Sequence, residues 1–151
     1  MIKEKKTTEK YKYAAGKRKE AVARVRLYKP TGAKVKLFDA EFKKGDIVVN
    51  GKLIEEYFSF KPYAPRYNKL LRDAGVGDEF IISARVTGGG ISGQLDAVVH
   101  GIARALDKLD REKYHSILKP MGALTRDART RERRKVGNAG KARRKKSSPK
   151  R

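Results

Sequence analysis

Gly88, Gly90 and Gly93 stand in the G-x-G-x-x-G pattern, between a strand-like run and a helix-like run. Glycines so placed free backbone N–H groups to cradle the phosphates of a dinucleotide. The surrounding chain lacks the rest of such a site. A second parallel strand ending in an acid should follow the helix, whereas the sequence continues Asp107-Lys108-Leu109-Asp110-Arg111-Glu112-Lys113. No Lys-Ser/Thr pair follows the glycines, as a P-loop requires. Two narrower uses remain. The N–H groups at a helix N-terminus can meet an RNA phosphate, or the glycines serve only to turn sharply from strand to helix. His100 and His115 have no carboxylate cluster at ligand spacing, so no metal and no other cofactor is expected. His100 reads as exposed to solvent or RNA on the polar side of a helix. Glu55 and Glu56 are helix neighbours that do not face each other and cannot share acid–base work. No Ser, His and acid suggest a triad. The residues point away from an enzyme and from a small-molecule substrate.

The dense chemistry is cationic. From Lys119 to Arg151, Lys and Arg fill 14 of 33 positions against Asp127 and Glu132, so this stretch holds +12 of the chain's +22. Its large apolar residues are Met121, Leu124 and Val136, too few to offset the entropy of ordering a backbone. Residues 119–151 therefore read as an extended basic C-terminal arm that phosphates neutralise, with a solvated solubility tail as the plainer alternative. Mutual repulsion among Arg129, Arg131, Arg133, Arg134 and Lys135 opposes a helix there, although Thr125 could cap one. A polyanionic partner follows from the charge. The arm has no apolar face for a membrane surface, and no stretch approaches transmembrane length. There is no Cys, hence no disulfide frame or thiolate site. The first residues do not form a targeting peptide, and a cytoplasmic protein is expected.

The elements that must carry these charges lie upstream. Residues 1–13 read as a polar, disordered leader, 14–118 as one globular domain. Gly16-Lys17-Arg18-Lys19-Glu20 forms a basic approach to a strand over 21–28. There Ala21, Ala23, Val25 and Leu27 alternate with Val22, Arg24, Arg26 and Tyr28. One face of that strand presents two arginines, which suit either phosphates or plain solvent. Turn residues at Lys29-Pro30-Thr31-Gly32 precede a short strand over 35–38, and Ile47-Val48-Val49 ends at Asn50-Gly51. A helix over 53–60 with Leu53, Tyr57 and Phe60 on one side follows, then a helix over 66–74 stopped by Gly75. The strand over 79–87 turns Phe80, Ile82, Ala84 and Val86 one way and Arg85 the other. After the glycines, Leu95, Val98, Val99, Ile102, Leu106 and Leu109 form a helical stripe, opposite His100, Arg104 and Asp107. A shorter helix over 111–118 leads into the arm.

Several of these segments, in this order, resemble one family. They are Gly16-Lys17-Arg18-Lys19-Glu20-Ala21-Val22-Ala23-Arg24-Val25, Asn50-Gly51, Gly88-Gly89-Gly90 with Ser92-Gly93-Gln94, Arg104-Ala105-Leu106, Leu124-Thr125-Arg126-Asp127 and the closing Lys150-Arg151. The chain is similar, from about residue 14 to its end, to the ninth protein of the small ribosomal subunit in its bacterial form. The resemblance implies an α+β fold: a two-layer α/β domain like the second domain of the fifth small-subunit protein, a mostly antiparallel sheet backed by helices. It implies binding to rRNA of the head (3′ major domain), beside neighbouring head proteins. It also implies that the arm reaches the anticodon stem-loop of P-site tRNA through Lys150 and Arg151. The candidate rRNA-binding residues are Lys17, Arg18, Lys19, Arg24, Arg26, Gly89, Gly90, Arg104, Arg126, Arg129, Arg133, Arg134, Lys135, Arg143 and Arg144. The sequence departs from the family's usual ending at Ser147-Ser148-Pro149, and its segment from Lys29 to Asp46 is longer, suggesting an extended hairpin.

Overall fold

The computed structural model describes residues 11–30, 34–37, 40–76 and 79–136. Among these residues seven strands run in chain order: β1 (Tyr11–Arg18), β2 (Ala21–Tyr28), β3 (Lys34–Leu37), β4 (Ala40–Lys43), β5 (Ile47–Val49), β6 (Lys52–Leu53) and β7 (Ile81–Thr87). Four helices accompany them: α1 (Ile54–Tyr57), α2 (Ala64–Asp73), α3 (Ile91–Leu109) and α4 (Arg111–Leu118). The main sheet has the order β1-β2-β7-β5-β6, and β3 pairs with β4 as a separate hairpin. All pairings are antiparallel except β5 with β7. The architecture is α+β, a mixed sheet backed by helices, with no strand after α3 among the described residues. The dinucleotide-type unit is thereby absent from the described residues.

Alternation decides the layers. Ala21, Ala23, Val25 and Leu27 of β2 and Ile82, Ala84 and Val86 of β7 are buried with Leu95, Val98, Ile102 and Leu106 of α3. Each of the Val, Leu and Ile side chains, fully buried, contributes on the order of 1.5–3 kcal/mol. On the other face, Phe42 of β4 closes a smaller cluster with Tyr28, Val48 and Ile81. The hairpin thus covers one end of the outer face and leaves the rest open.

β1 begins at Tyr11, inside the stretch read as a leader, and the basic approach at 16–18 is its second half. α3 packs directly on it. At their crossing Gly16 meets Gly101: a Cβ on Gly16 would overlap the Ala97 carbonyl oxygen, and one on Gly101 would lie 2.5 Å from Val25 Cγ2. Two backbones can come this close only without side chains between them.

The helix expected over 53–60 is a single turn, Ile54–Tyr57, and its buried residues differ from the expected ones. Ile54 and Phe58 are buried, whereas Leu53 and Phe60 are exposed. Phe60 is extended, and a separate turn of 3₁₀ helix follows at Lys61–Tyr63 with Pro62 in its first turn, where the missing N–H costs nothing. β3 and β4 pair as a hairpin within the long segment between Lys29 and Asp46, as its length suggested, although only the first of the two strands was read from the residues.

Replacing Gly16 with Ala should lower unfolding free energy by about 1–3 kcal/mol, the usual cost of overpacking where two backbones nearly touch. Urea titration of the full chain measures it.

Candidate nucleic-acid interface

β1 is an edge strand, and its outward backbone groups need partners. α3 supplies them at matching intervals. His100 Nδ1 accepts from the Lys17 N–H at 3.4 Å, the Arg104 guanidinium donates to the Ala15 carbonyl, and Lys108 Nζ donates to the Tyr13 carbonyl at 3.2 Å. Four helical residues advance about 6 Å and two strand residues about 6.6 Å. A stripe spaced by four therefore keeps register with a strand spaced by two. Arg104, a candidate RNA contact from the sequence, works here as an edge clamp.

His100 is half-buried rather than simply exposed. Burial lowers its pKa, Arg104 and Arg126 lower it further, and a bond with the Leu124 backbone opposes them. A neutral imidazole accepting from Lys17 fits that environment.

The glycine loop leans on the turn between β1 and β2. Gly88 and Gly89 have φ of 73° and 65°. A Cβ on Gly88 would come within 2.5 Å of the Glu20 carbonyl oxygen, and one on Gly89 within 3.0 Å of Ala21. Gly90 differs: it is the N-cap of α3 at φ −102°, with open space where a Cβ would go. A polar chain fixes the loop from behind. Asn50 bonds the Val86 N–H at 2.9 Å and the Val86 carbonyl at 3.1 Å, and its amide reaches Tyr57 Oη at 3.3 Å. Tyr57 Oη lies 3.0 Å from Gln94 Oε1, and Gln94 Nε2 donates to the Gly88 carbonyl at 3.1 Å. Asn50 and Gln94 were visible in the sequence only through the family resemblance.

The start of the arm returns to this same end. Ala123 and Leu124 pack against the core. Arg18, whose side chain is 17% exposed, lies 3.7 Å from Asp96 and 3.2 Å from Asp127, and donates to the Arg129 carbonyl at 2.9 Å. Arg129 grips Asp127 in turn, at 2.7 Å from Nη2 to Oδ2. Bonding from Arg129, then the Arg18 charge, holds the Asp127 carboxyl far below the usual carboxylate range. A cleft of about 300 Å³ separates arm from core, lined by Lys17, Arg18, His100, Thr125, Asp127 and Arg129 among others. Beside it Arg18, Lys19, Arg129, Thr130 and Arg131 surround a second hollow. The arm was expected to leave the core at Lys119; instead it departs after this ion-paired latch. No helix forms over 126–135, as repulsion among its cations suggested.

The structure thus gathers Lys17, Arg18, Lys19, Gly89, Gly90 and Arg129 at one end, with Arg126 close enough to act on His100. Arg18 and Arg129 serve partly as internal ties there. Arg24 and Arg26 are exposed on the open sheet face, where Arg85 stands opposite Arg24 in register. Arg26 also lies 4.9 Å over the ring of exposed Tyr11. Arg133, Arg134 and Lys135 are exposed beyond the latch. Arg143, Arg144, Lys150 and Arg151 lie outside the described residues. Sequence reasoning missed Arg85, Arg131, Asp96 and Asp127 as members of this surface; only the strand period gave a sign of the first. No group of three or more His, Cys, Asp or Glu able to hold a metal occurs among the described residues.

Comparison with known proteins matches residues 16–151 to the family model of ribosomal protein S9/S16. The chain belongs to that family. Curated relatives named small ribosomal subunit protein uS9 span most of its length. The one from Maridesulfovibrio salexigens is 45% identical over 130 residues, covering 86% of this chain and 89% of its own. The relative from Lawsonia intracellularis is 42% identical over 127 residues, covering 84% and 87%. In Cutibacterium acnes the figures are 40% over 124 residues, 82% and 64%. The glycine loop, the latch and the basic arm all fall within the matched span of this ribosomal family member.

Two measurements probe the site. Gly89→Ala should cost about 1–2 kcal/mol of stability because a Cβ is placed at positive φ, while Gly90→Ala should cost less than about 1 kcal/mol. Stability should also fall with pH below about 6.5, where unfolded His100 ionises and the folded residue resists. The sign follows from a depressed folded pKa: the stabilisation is full above that pH and declines as pH falls. His100→Gln should flatten that part of a pH series of urea melts.

Proposed function

We propose that the chain binds rRNA of the small-subunit head with its basic end and open sheet face, while the arm runs on to the anticodon stem-loop of P-site tRNA. As a member of its family it is a structural constituent of the small ribosomal subunit that binds rRNA, and not an enzyme. One observation carries the finer reading. The β1–β2 turn, the glycine loop and the latched arm converge, so that a chain of net charge +22 concentrates its cations where they can follow an RNA backbone. Contacts of this kind read phosphate position and shape rather than base edges. Gly89 and Gly90 add backbone N–H groups at the start of α3, which no side chain caps.

Beyond the latch the cations have a different task. Residues 137–151 hold seven of them, Lys141, Arg143, Arg144, Lys145, Lys146, Lys150 and Arg151. Fully extended, fifteen residues span about 50 Å, enough to carry Lys150 and Arg151 to a ligand the core does not touch. Neighbouring head proteins complete the surroundings. No helix among the described residues is long and apolar enough to cross a membrane.

Removing residues 137–151 should flatten the log–log salt dependence of rRNA binding by about 3.5, since Lys141 to Lys146 supply five cations and each phosphate neutralised on a single strand adds roughly 0.7 to the slope. An unchanged slope would put the neutralised phosphates on the core. Deleting Lys150 and Arg151 alone should leave assembly nearly intact and weaken P-site tRNA by about 1–2 kcal/mol. Dissociation of tRNA from purified subunits containing the shortened protein checks this.

A further inference from the structure

The helical layer carries a surface that this reading does not use. Phe60 is 60% exposed, and its ring lies 5.2 Å from that of Tyr63 in an edge-on pair. Arg66 reaches over Tyr63 at 6.0 Å while bonded to Asp96 at 2.9 Å, which fixes its guanidinium. From Lys61, the residue after Phe60, a cleft of about 580 Å³ runs along α2 past Pro65, Asn68, Lys69 and Arg72. Lys61, Lys69 and Arg72 have no ion-pair partner among the described residues. Tyr63, Ala64 and Leu71 pack against the main core, so this surface lies on the helical layer, away from Arg24 and Arg26.

We propose that this surface is a second RNA site, at which Phe60 stacks a base of a single-stranded segment and Lys61, Lys69 and Arg72 hold the adjoining phosphates. The combination is specific to that chemistry. An exposed aromatic fixed by a neighbouring ring gives a stacking platform at little entropic cost, and any base offers a π-face to it. Duplex RNA keeps its bases stacked inside the helix, so a platform of this kind selects loops, bulges or ends. Asn68 adds an amide able to pair with a base edge. With Lys61, Lys69 and Arg72 against Asp73 alone, the cleft lining carries a net positive charge that an apolar protein partner would leave uncompensated, which favours a polyanion. The site rests on the rRNA-binding reading and extends it to the opposite layer, so the protein would bridge two RNA segments.

The test uses the full chain and single-stranded RNA 12-mers with one 2-aminopurine, titrated at several salt concentrations. Wild type should quench the probe by stacking. Phe60→Ala should lose the quench and about five- to twentyfold in affinity with an unchanged salt slope, and Phe60→Trp should restore both. Arg72→Gln should make the slope shallower by about 0.7. Arg133→Gln with Arg134→Gln should flatten the slope yet keep the quench, separating this site from the arm. Circular dichroism melts of each variant show that the fold is kept. If Phe60→Ala binds and quenches like wild type, Phe60 stacks no base and the proposal is overturned. If wild type itself binds RNA without salt dependence, the broader reading falls as well.

Discussion

Two backbones pressed together at Gly16 and Gly101 set the geometry of the whole domain. Because no side chain intervenes, α3 lies close enough to β1 for His100, Arg104 and Lys108 to reach its edge. That closeness places Asp96 of α3 next to Arg18 of β1, and Arg18 in turn is the post to which the arm is tied. The crossing also lets Leu95, Val98 and Ile102 meet the inner face of β2 and β7 without a gap. A side chain at either glycine would push helix from strand and loosen the edge clamp and the latch together.

The electrostatics follow a consistent division. Most cations of this chain repel one another, and a compact state must tolerate that. The few acids near the basic end are spent on positioning: Asp96 holds Arg18 and Arg66, and Asp127 holds Arg18 and Arg129. Exposed ion pairs of this sort contribute little stability individually. Their effect is directional, since they decide where the arm leaves the core and which cations stay available. The lowered pKa of His100 belongs to the same arrangement, for burial and the charges of Arg104 and Arg126 all oppose a charged imidazole.

Much of this was legible in the residues. The alternation in 21–28 and 79–87 and the stripe from Leu95 to Leu109 pointed to β2, β7 and α3, because burial on one face leaves a strong period. β1 escaped for the reason that makes it work. Its inner face needs Ala14 and Gly16 to admit α3, so the strand has small residues where a period would show. α1 misled because Tyr57 belongs to a polar network, while Ile54 and Phe58 make the buried pair. The latch was hidden for a third reason. Asp127 has one acid's charge amid many cations, and nothing local reveals that Arg18, more than a hundred residues away, will face it. The family resemblance marked Leu124 to Asp127 without giving their role.

The central claim is that opposite charges at Arg18, Asp127 and Arg129 fix the root of an otherwise self-repelling arm. Amide hydrogen exchange of the full chain, read over 123–129 and over 131–136, tests it most directly. The first segment should exchange clearly more slowly than the second in the wild type. Asp127→Ala should speed 123–129 to the rate of 131–136 while amides of β2 and α3 stay protected. Equal, fast exchange of both segments in the wild type, or an unchanged pattern in Asp127→Ala, would contradict the account.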